Sequence, residues 1–382
     1  MQTPVSTAPY RHFHRLAWLA VALALGVIVF GAFVRLSNAG LSCHDWPTCY
    51  GRAAWPTAAH DSLNRAAEAI RPVEPHKAWR EQLHRMLAGT LGVLVLALAL
   101  LAARRRKRGI AQLLLGAAII GAGIPLYIHG QHAAASAFAV AGELWLLVLA
   151  LRWSNADVAR NATLTLMVIV FQALLGMWTV TWLLKPIVVM GHLLGGLLTF
   201  SLLAWTAWRA TDAPIRLAEA PQLRRWVVVG LALLGAQIAL GGWTSANYAA
   251  LACGNDFPKC VGQWLPPHDF HQGFVLWRGI GVDYEGGVLD GAARIAIQLA
   301  HRLGAAAVFA FVLLFALKLV RTPGMFGWSI ALLALVCAQV ALGIANVKLG
   351  LPLHVAVLHN AGAALLLFVL VGLVARVRAP EA

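Results

Sequence analysis

Charged side chains are scarce in this sequence of 382 residues, because only 12% of the residues are Asp, Glu, Lys or Arg while 60% are hydrophobic. Soluble domains carry roughly 25% charged residues. A soluble fold cannot bury so much apolar surface, so a purely soluble enzyme is excluded. Intrinsic disorder is excluded as well, since disordered chains have few apolar residues and much charge. The sequence therefore predicts an integral membrane protein.

Long apolar segments account for most of the chain. A helix that crosses the bilayer needs about 20 mostly apolar residues. Ten segments meet this requirement, and they are 16–36, 82–103, 110–129, 134–151, 161–184, 188–209, 224–246, 292–318, 326–346 and 353–375. Pro125 interrupts the third and Glu143 lies inside the fourth, so a re-entrant hairpin is the alternative there. We predict an all-α membrane protein with about ten spans.

The net charge of +15 is explained by topology. With a cytoplasmic N-terminus, the inner segments hold 17 basic residues against four acids, and the run 104–108 is entirely basic. Lys and Arg are enriched in short cytoplasmic loops. The first apolar segment exceeds the roughly 7–15 apolar residues of a cleavable signal peptide, which favours an uncleaved anchor. We expect both termini in the cytoplasm, anionic lipid beside the basic loops, and no nucleic-acid partner.

Cysteine is also scarce, with five residues, which excludes a disulfide-scaffold protein. Cys43 and Cys49, and likewise Cys253 and Cys260, fall in predicted outer loops, where disulfides persist. Their separations of six and seven residues match neither a zinc C-x-x-C motif nor a C-x-x-C-H haem attachment motif. Two structural disulfides are favoured over redox-active thiols. Cys337 lies within a span and is predicted to be a buried packing residue.

Two long stretches of the chain resemble each other. Segment 40–49 resembles 250–260, His84-Arg85 resembles His301-Arg302, and the Gln-x-x-x-Gly of 172–176, ahead of His192, resembles that of 339–343, ahead of His359. The two histidines of the first stretch are 50 residues further apart than those of the second. We therefore predict two four-helix halves, 1–209 and 210–382, with a hairpin at 104–153 inserted into the first. Such parallel repeats differ from the inverted repeats of many transporters.

Four histidines lie within apolar spans at repeat-matched positions, namely His84, His192, His301 and His359. An ionisable side chain inside the membrane is costly and is by default a functional candidate. Each half has two imidazoles at similar depth and no Cys, Asp or Glu to complete a tetrahedral site. This set favours two axial ligands of haem iron over zinc. Another metal, a proton pathway and plain packing are the alternatives.

Charged neighbours distinguish the two histidine pairs. Glu81 lies three residues before His84 on the same helix face, whereas the matching residue in the second half is Gln298. We predict that the two sites are not equivalent and that the carboxylate acts as a base or stabilises positive charge; an ion pair with a neighbouring arginine is the alternative. Arg85 and Arg302 suit haem propionates, because Arg binds carboxylates in a bidentate fork, and lipid phosphate is the alternative.

At these residues the chain resembles the haem A synthase family of haem-copper oxidase assembly proteins. The resemblance covers most of the chain and rests on segment 40–49, the Glu-x-x-His-Arg of 81–85, His192, His301-Arg302 and His359. Members of this family consist of two similar four-helix bundles and oxidise the C8 methyl of haem O to the formyl group of haem A. The resemblance implies a haem-dependent oxidoreductase of the bacterial inner membrane that serves cytochrome oxidase assembly.

The resemblance also implies roles for individual residues. His84 and His192 match the ligands of the substrate haem in the N-terminal half. His301 and His359 match the ligands of a resident haem B in the C-terminal half. Glu81 matches the catalytic glutamate, and Cys43 with Cys49 match the outer-loop disulfide. The family usually has eight spans, so the insertion 104–153 and the long outer stretch 261–291 have no predicted role.

A di-haem cytochrome b that takes electrons from quinol is the main alternative function, and a haem or metal carrier is another. Glu81, which has no acidic counterpart, and the cysteine-paired loops favour the synthase. The expected partners are haem O, a haem O synthase that supplies it, an electron donor that the sequence does not identify, and membrane lipid. A homo-oligomer is compatible with the sequence.

Overall fold

The computed structural model describes residues 12–154 and 158–380, and within them ten helices are long and apolar enough to cross a membrane. They are α1 (Phe13–Leu36), α3 (Pro75–Ala103), α4 (Gly109–Ile128), α5 (His132–Arg152), α6 (Ala159–Thr181), α7 (Pro186–Thr211), α8 (Ala220–Ala246), α10 (Gly291–Val320), α11 (Phe326–Lys348) and α12 (Leu353–Arg376). The predicted all-α membrane architecture with about ten spans is confirmed. Arg11, Asp157 and Glu381, which contribute to the predicted inner charge, lie outside the described residues.

Short elements connect some of these helices. Helices α2 (Arg65–Ile70) and α9 (Phe270–Gly273) lie in the two long outer connections. Strand β1 (Ile215–Arg216) pairs in parallel with β2 (Val377–Arg378), so the connection between α7 and α8 is joined to the end of α12.

Local sequence explains where the helices begin. Pro75 and Pro186 occupy the first turns of α3 and α7, where a missing N–H costs nothing. The Asp290 side chain caps α10 by accepting a hydrogen bond from the Ala293 N–H at 2.8 Å. Helix α3 begins well before the predicted residue 82, because its first two turns are polar and extend beyond the apolar segment. This extension places Glu81 inside the helix that carries His84.

The α4–α5 hairpin occupies the predicted insertion. Its helices have 20 and 21 residues. At 1.5 Å per residue each is about 30 Å long, which matches the hydrocarbon core of a bilayer. Helix α4 continues through Pro125 to Ile128. These lengths favour two full spans over a re-entrant hairpin.

Helix contacts define two rings of four. In the first, α1, α3, α6 and α7 contact one another in that order, and α7 closes the ring against α1. In the second, α8, α10, α11 and α12 do the same. The rings pack together through α1, α7, α8 and α12, and the hairpin lies against α3 and α6. An origin by repetition, and a division of labour between 1–209 and 210–382, stay predictions.

Part of the buried core lies at the end of the bundle where α1 begins, which is the predicted cytoplasmic side. Phe13, Ala103, Ala207 and Phe315 are fully buried there. Alanines let neighbouring helices approach closely. The four candidate histidines lie near the opposite, outer ends of their helices. The candidate site is therefore in the outer half of the bundle, away from this part of the core.

The prediction for Cys337 was wrong, because this residue is exposed on α11. Lipid tails are as apolar as a protein core. An apolar segment therefore does not reveal which of its faces turns toward lipid.

Candidate functional site

One continuous cavity brings the predicted site residues together. It has a volume of about 1890 Å³, and its lining comes from both helix rings. The lining includes His84, His192, His301, His359, Glu81, Arg85, Gln298 and Arg302. A site for one drug-sized ligand occupies roughly 300–1,000 Å³. The cavity therefore has room for more than one large ligand.

The histidines of each half reach this cavity from opposite corners of a ring. His84 lies on α3 and His192 on α7, and these two helices are diagonally opposite in their ring. His301 on α10 and His359 on α12 are placed in the same way in the second ring. Two imidazoles on diagonal helices suit the two axial positions of one haem iron. Among the described residues, no group of three or more His, Cys, Asp or Glu side chains is placed to hold a metal ion. The donor set therefore fits haem better than a tetrahedral metal.

Each imidazole packs against a glycine of the neighbouring helix. A Cβ placed on that glycine would approach the histidine Cε1 atom to 2.8 Å for Gly31 and His84, 3.0 Å for Gly176 and His192, 3.1 Å for Gly241 and His301, and 3.2 Å for Gly343 and His359. Any side chain there would displace the ring. We call each of these glycine contacts a glycine seat. The seats were not predicted from the sequence, although the repeated Gln-x-x-x-Gly motif contains two of the glycines.

Glu81 is held at the cavity wall by three groups. It is 4% exposed, and its carboxylate accepts hydrogen bonds from the Cys43 N–H at 2.8 Å and the Ser42 hydroxyl at 3.2 Å. It also pairs with Arg85 at 2.5 Å, so the ion pair considered from the sequence exists alongside the cavity position. Gln298, the counterpart, donates to a loop carbonyl oxygen at 3.2 Å. The two sites therefore differ in charge at matched positions.

The two arginines fasten the outer loops. Arg85 donates to the carbonyl oxygens of Cys43, Asp45 and Thr48 at 2.7–2.8 Å. Arg302 donates to those of Asp256 and Lys259 at 2.9 Å. Their contact with haem propionates stays a prediction, since both guanidinium groups are engaged by loop carbonyls in this structure.

The loops themselves are closed by disulfides. Cys43 is bonded to Cys49, and Cys253 to Cys260, which confirms both predicted pairs. Trp46 in the first of these loops and Phe257 in the second line the cavity. Each disulfide loop is therefore a cap on the outer end of the cavity.

Asp45 organises the first cap. Its carboxylate accepts hydrogen bonds from the Thr48 hydroxyl at 2.6 Å, the Gly51 N–H at 2.8 Å and the Tyr50 N–H. Burial raises the pKa of Asp45, but these bonds outweigh it and hold the pKa below the ordinary value of 3.8. Within the described residues, the carboxylate of Asp256, its counterpart, accepts one such bond, from the Gly262 N–H at 2.7 Å.

We expect Asp45→Ala to lower the thermal midpoint of the detergent-solubilised protein more than Asp256→Ala does. Because the folded-state pKa is depressed, the stabilisation is present above the unfolded-state pKa and is lost as pH falls through the folded-state pKa. The acid dependence of the midpoint, measured from about pH 7 to about pH 3, should therefore flatten in Asp45→Ala. Equal losses in the two variants would show that Asp45 has no special structural role.

Two cavity residues were missed as site candidates. Arg35, at the end of α1, donates to the Ser245 carbonyl oxygen at 2.9 Å and to the Tyr248 hydroxyl at 3.2 Å, and thereby joins the two rings. Glu143, noticed in the sequence only as an irregular residue of its span, lines the cavity from α5. One of its carboxylate oxygens is buried without a hydrogen-bond partner in the described part of the chain. An acidic residue inside an apolar segment is the signal that the sequence offered for Glu143.

The long outer stretch 261–291 connects the halves. The Tyr284 N–H donates to the Leu183 carbonyl oxygen at 3.1 Å, in the connection between α6 and α7. Arg71, in the outer connection of the first half, pairs with Glu285 at 2.7 Å and with Asp283 at 3.4 Å. A loop of the second half is thus fastened over the first.

Comparison with known proteins agrees with this architecture. Residues 14–124 and 121–371 match the sequence profile of the COX15-CtaA family, described as cytochrome oxidase assembly protein. The chain is 38% identical over 366 residues to the Heme A synthase of Shewanella oneidensis, covering 94% of this chain and 95% of that one. It is 26% identical over 394 residues to the Heme A synthase of Caulobacter vibrioides, covering 95% and 96%. These matches span nearly the whole chain, so it belongs to the COX15-CtaA family of cytochrome oxidase assembly proteins.

Proposed function

We propose that this chain is a haem A synthase, which oxidises the C8 methyl of haem O to the formyl group of haem A. The observation that carries the proposal is a difference at matched positions of the two sites: Glu81 lies beside His84, and Gln298 lies beside His301. A protein that only transfers electrons, or only carries haem, needs no such difference. The Heme A synthase relatives support the same activity.

The N-terminal half is assigned the substrate and the C-terminal half a resident haem. His84 and His192 hold haem O, and His301 and His359 hold haem B. The diagonal placement of each pair and the glycine seat under each ring support haem binding in both halves. The carboxylate of Glu81 in the cavity wall is the reason for assigning the substrate to the N-terminal half. When bound, a resident haem B supplies a route for electrons to and from the substrate site.

Glu81 acts on the methyl group that is oxidised. The methyl is oxidised twice, and each oxidation replaces one C–H hydrogen by a hydroxyl group from water, releases two protons and passes two electrons to an electron-transfer partner. The resulting gem-diol loses water to give the aldehyde. The carboxylate stabilises positive charge that develops on the substrate, or accepts a proton from it. Its bonds to Ser42, Cys43 and Arg85 keep it in place during these steps.

Arg85 links this carboxylate to the first cap. The same guanidinium group pairs with Glu81 and binds three carbonyl oxygens of the 43–49 loop. The position of the carboxylate therefore depends on a closed cap. A closed cap also excludes water, which strengthens electrostatic interactions inside the cavity.

The membrane setting follows from the basic inner loops and the lipophilic substrate. We propose a protein of the bacterial inner membrane with both termini in the cytoplasm. Haem O carries a long apolar tail and is delivered within the bilayer, which makes a haem O synthase the expected supplier. Oxidation of the methyl also requires an electron-transfer partner.

Pigment extraction tests the function directly. The full chain is expressed together with a haem O supplier and purified in detergent, and its haems are extracted and identified by mass. Haem B with haem O or haem A is the expected result. Haem B alone would favour the function of a di-haem cytochrome b. Purified protein without haem would favour the function of a haem or metal carrier. The variant His84→Leu/His192→Leu is the control that should lose haem O and keep haem B.

A further inference from the structure

Three of the four cavity histidines are contacted by a glutamine from the preceding long helix of their ring. For His192 and His301, the glutamine Nε2 lies 3.0 Å from the histidine Nδ1 and also donates to the histidine carbonyl oxygen. For His359, the glutamine Nε2 donates to the carbonyl oxygen alone, at 2.9 Å. These pairs are Gln172 with His192, Gln237 with His301, and Gln339 with His359. We call each such contact an amide clamp.

Each amide clamp depends on a glycine as well as on a glutamine. The glycine three residues after each clamped histidine faces the glutamine Oε1 so closely that a Cβ there would overlap with it. The glycines are Gly195, Gly304 and Gly362. A clamp therefore needs Gln-x-x-x-Gly on one helix and His-x-x-Gly on the next.

His84 has neither part of this motif. Four residues before its seat glycine, Gly31, the chain has Val27, and three residues after His84 it has Leu87. Its Nδ1 has no hydrogen-bond partner among the residues that the structure describes. The Nδ1 of His359 also lacks a partner there, but the carbonyl oxygen of that histidine is clamped. His84 is thus the unclamped ligand, and it is the one beside Glu81.

A clamp affects how firmly a histidine binds iron. An imidazole that binds metal through Nε2 carries its proton on Nδ1, and a partner at Nδ1 orients the ring and raises its basicity. The Oε1 atoms of all three glutamines have no hydrogen-bond partner within the described ranges. In Gln172 and Gln237, whose Nε2 atoms contact Nδ1, rotation of the amide places Oε1 there as an acceptor for that proton, in exchange for the bond to the histidine carbonyl oxygen. Gln339 instead holds the backbone of the helix turn that carries His359. Loss of such a partner typically costs about 10–100-fold in metal affinity.

We propose that His84 is the labile axial ligand, which detaches to let substrate haem enter and product leave, while the amide clamps keep the other three histidines on their irons. The inference rests on the proposed binding of haem by these histidines. It explains why His84 differs from the other three histidines in two ways at once: it lacks a clamp, and it has a carboxylate beside it. A resident haem needs two firm ligands, whereas a substrate haem must exchange.

Carbon monoxide binding to the reduced protein measures this lability, because the gas binds a bis-histidine haem only after one histidine leaves. Two full-length variants each keep one haem. His301→Leu/His359→Leu keeps the haem of the N-terminal site, and His84→Leu/His192→Leu keeps the haem of the C-terminal site. We expect the N-terminal haem to bind carbon monoxide at least about tenfold faster. Equal rates, or a faster C-terminal site, would overturn the proposal. This comparison does not depend on any change to the clamps.

Building a clamp at His84 is the second test. Val27→Gln/Leu87→Gly, in the variant that keeps the N-terminal haem, should slow carbon monoxide binding about tenfold and slow haem transfer to apomyoglobin equally. Val27→Gln alone is the matched control and should change little, because at the three clamped sites any side chain at the position matching Leu87 would overlap with the amide oxygen. An unchanged rate in the double variant would contradict the proposal. A site with no haem spectrum at all would instead contradict the proposed function.

Discussion

Glu81→Gln is expected to bind both haems and to stop short of haem A. The amide has nearly the same shape and still accepts the Cys43 N–H, but it neither carries the negative charge nor accepts a proton. Removing general acid–base assistance typically costs about 10²–10⁴-fold in rate. Haem O, or its hydroxylated derivative, should therefore accumulate, and mass analysis of the extracted haems measures this.

The internal pattern offers the control for this experiment. Gln298→Glu places a carboxylate at the matched position of the other site, where no oxidation is proposed. It should leave the haem A yield nearly unchanged. A normal yield from Glu81→Gln would remove Glu81 from the mechanism, whatever Gln298→Glu does.

His301→Leu and His192→Leu are expected to remove different haems. Loss of an axial ligand weakens iron binding by more than the roughly 10–100-fold that follows loss of a ligand's own partner. His301→Leu should therefore lose mainly haem B and keep haem O, while His192→Leu should do the reverse. Both should fail to make haem A. The ratio of the two haems after extraction, per protein, is the measurement.

His354→Leu controls for the substitution itself. His354 is exposed near the start of α12 and does not line the cavity with His359. Its loss should leave both haems in place. If His301→Leu and His192→Leu lost the same haem, the assignment of one haem to each half would be wrong.

The spans and most of the site residues were predictable because their signals are local. Crossing a bilayer requires enough apolar residues in one segment, and each of the ten predicted segments falls on one of the ten helices, although α3 begins at Pro75 rather than at residue 82. The disulfides were predictable for the same reason, since each pair is close in sequence. The four histidines stood out because an ionisable group in an apolar segment is rare.

The partners of those residues were not predictable, because they belong to other helices or loops. The sequence suggested propionates for Arg85, which stays a prediction, and an arginine partner for Glu81, which the structure shows; it did not reveal that loop carbonyl oxygens bind Arg85. The wrong prediction for Cys337 has a related cause, since lipid and protein surroundings are equally apolar. The contact between Gly31 and His84 could also be recognised only in the structure, because no sequence motif near Gly31 points to His84.

The sequence by itself determined that this is a membrane protein of about ten helices with four histidines in its apolar spans and a carboxylate beside only one of them. Only the tertiary structure decided that the histidines share one cavity, that glycines seat them, and that glutamines clamp all but His84. The physical reason is range: the transfer of a segment into lipid depends on that segment alone, whereas a hydrogen bond or a close glycine contact depends on where a distant helix packs.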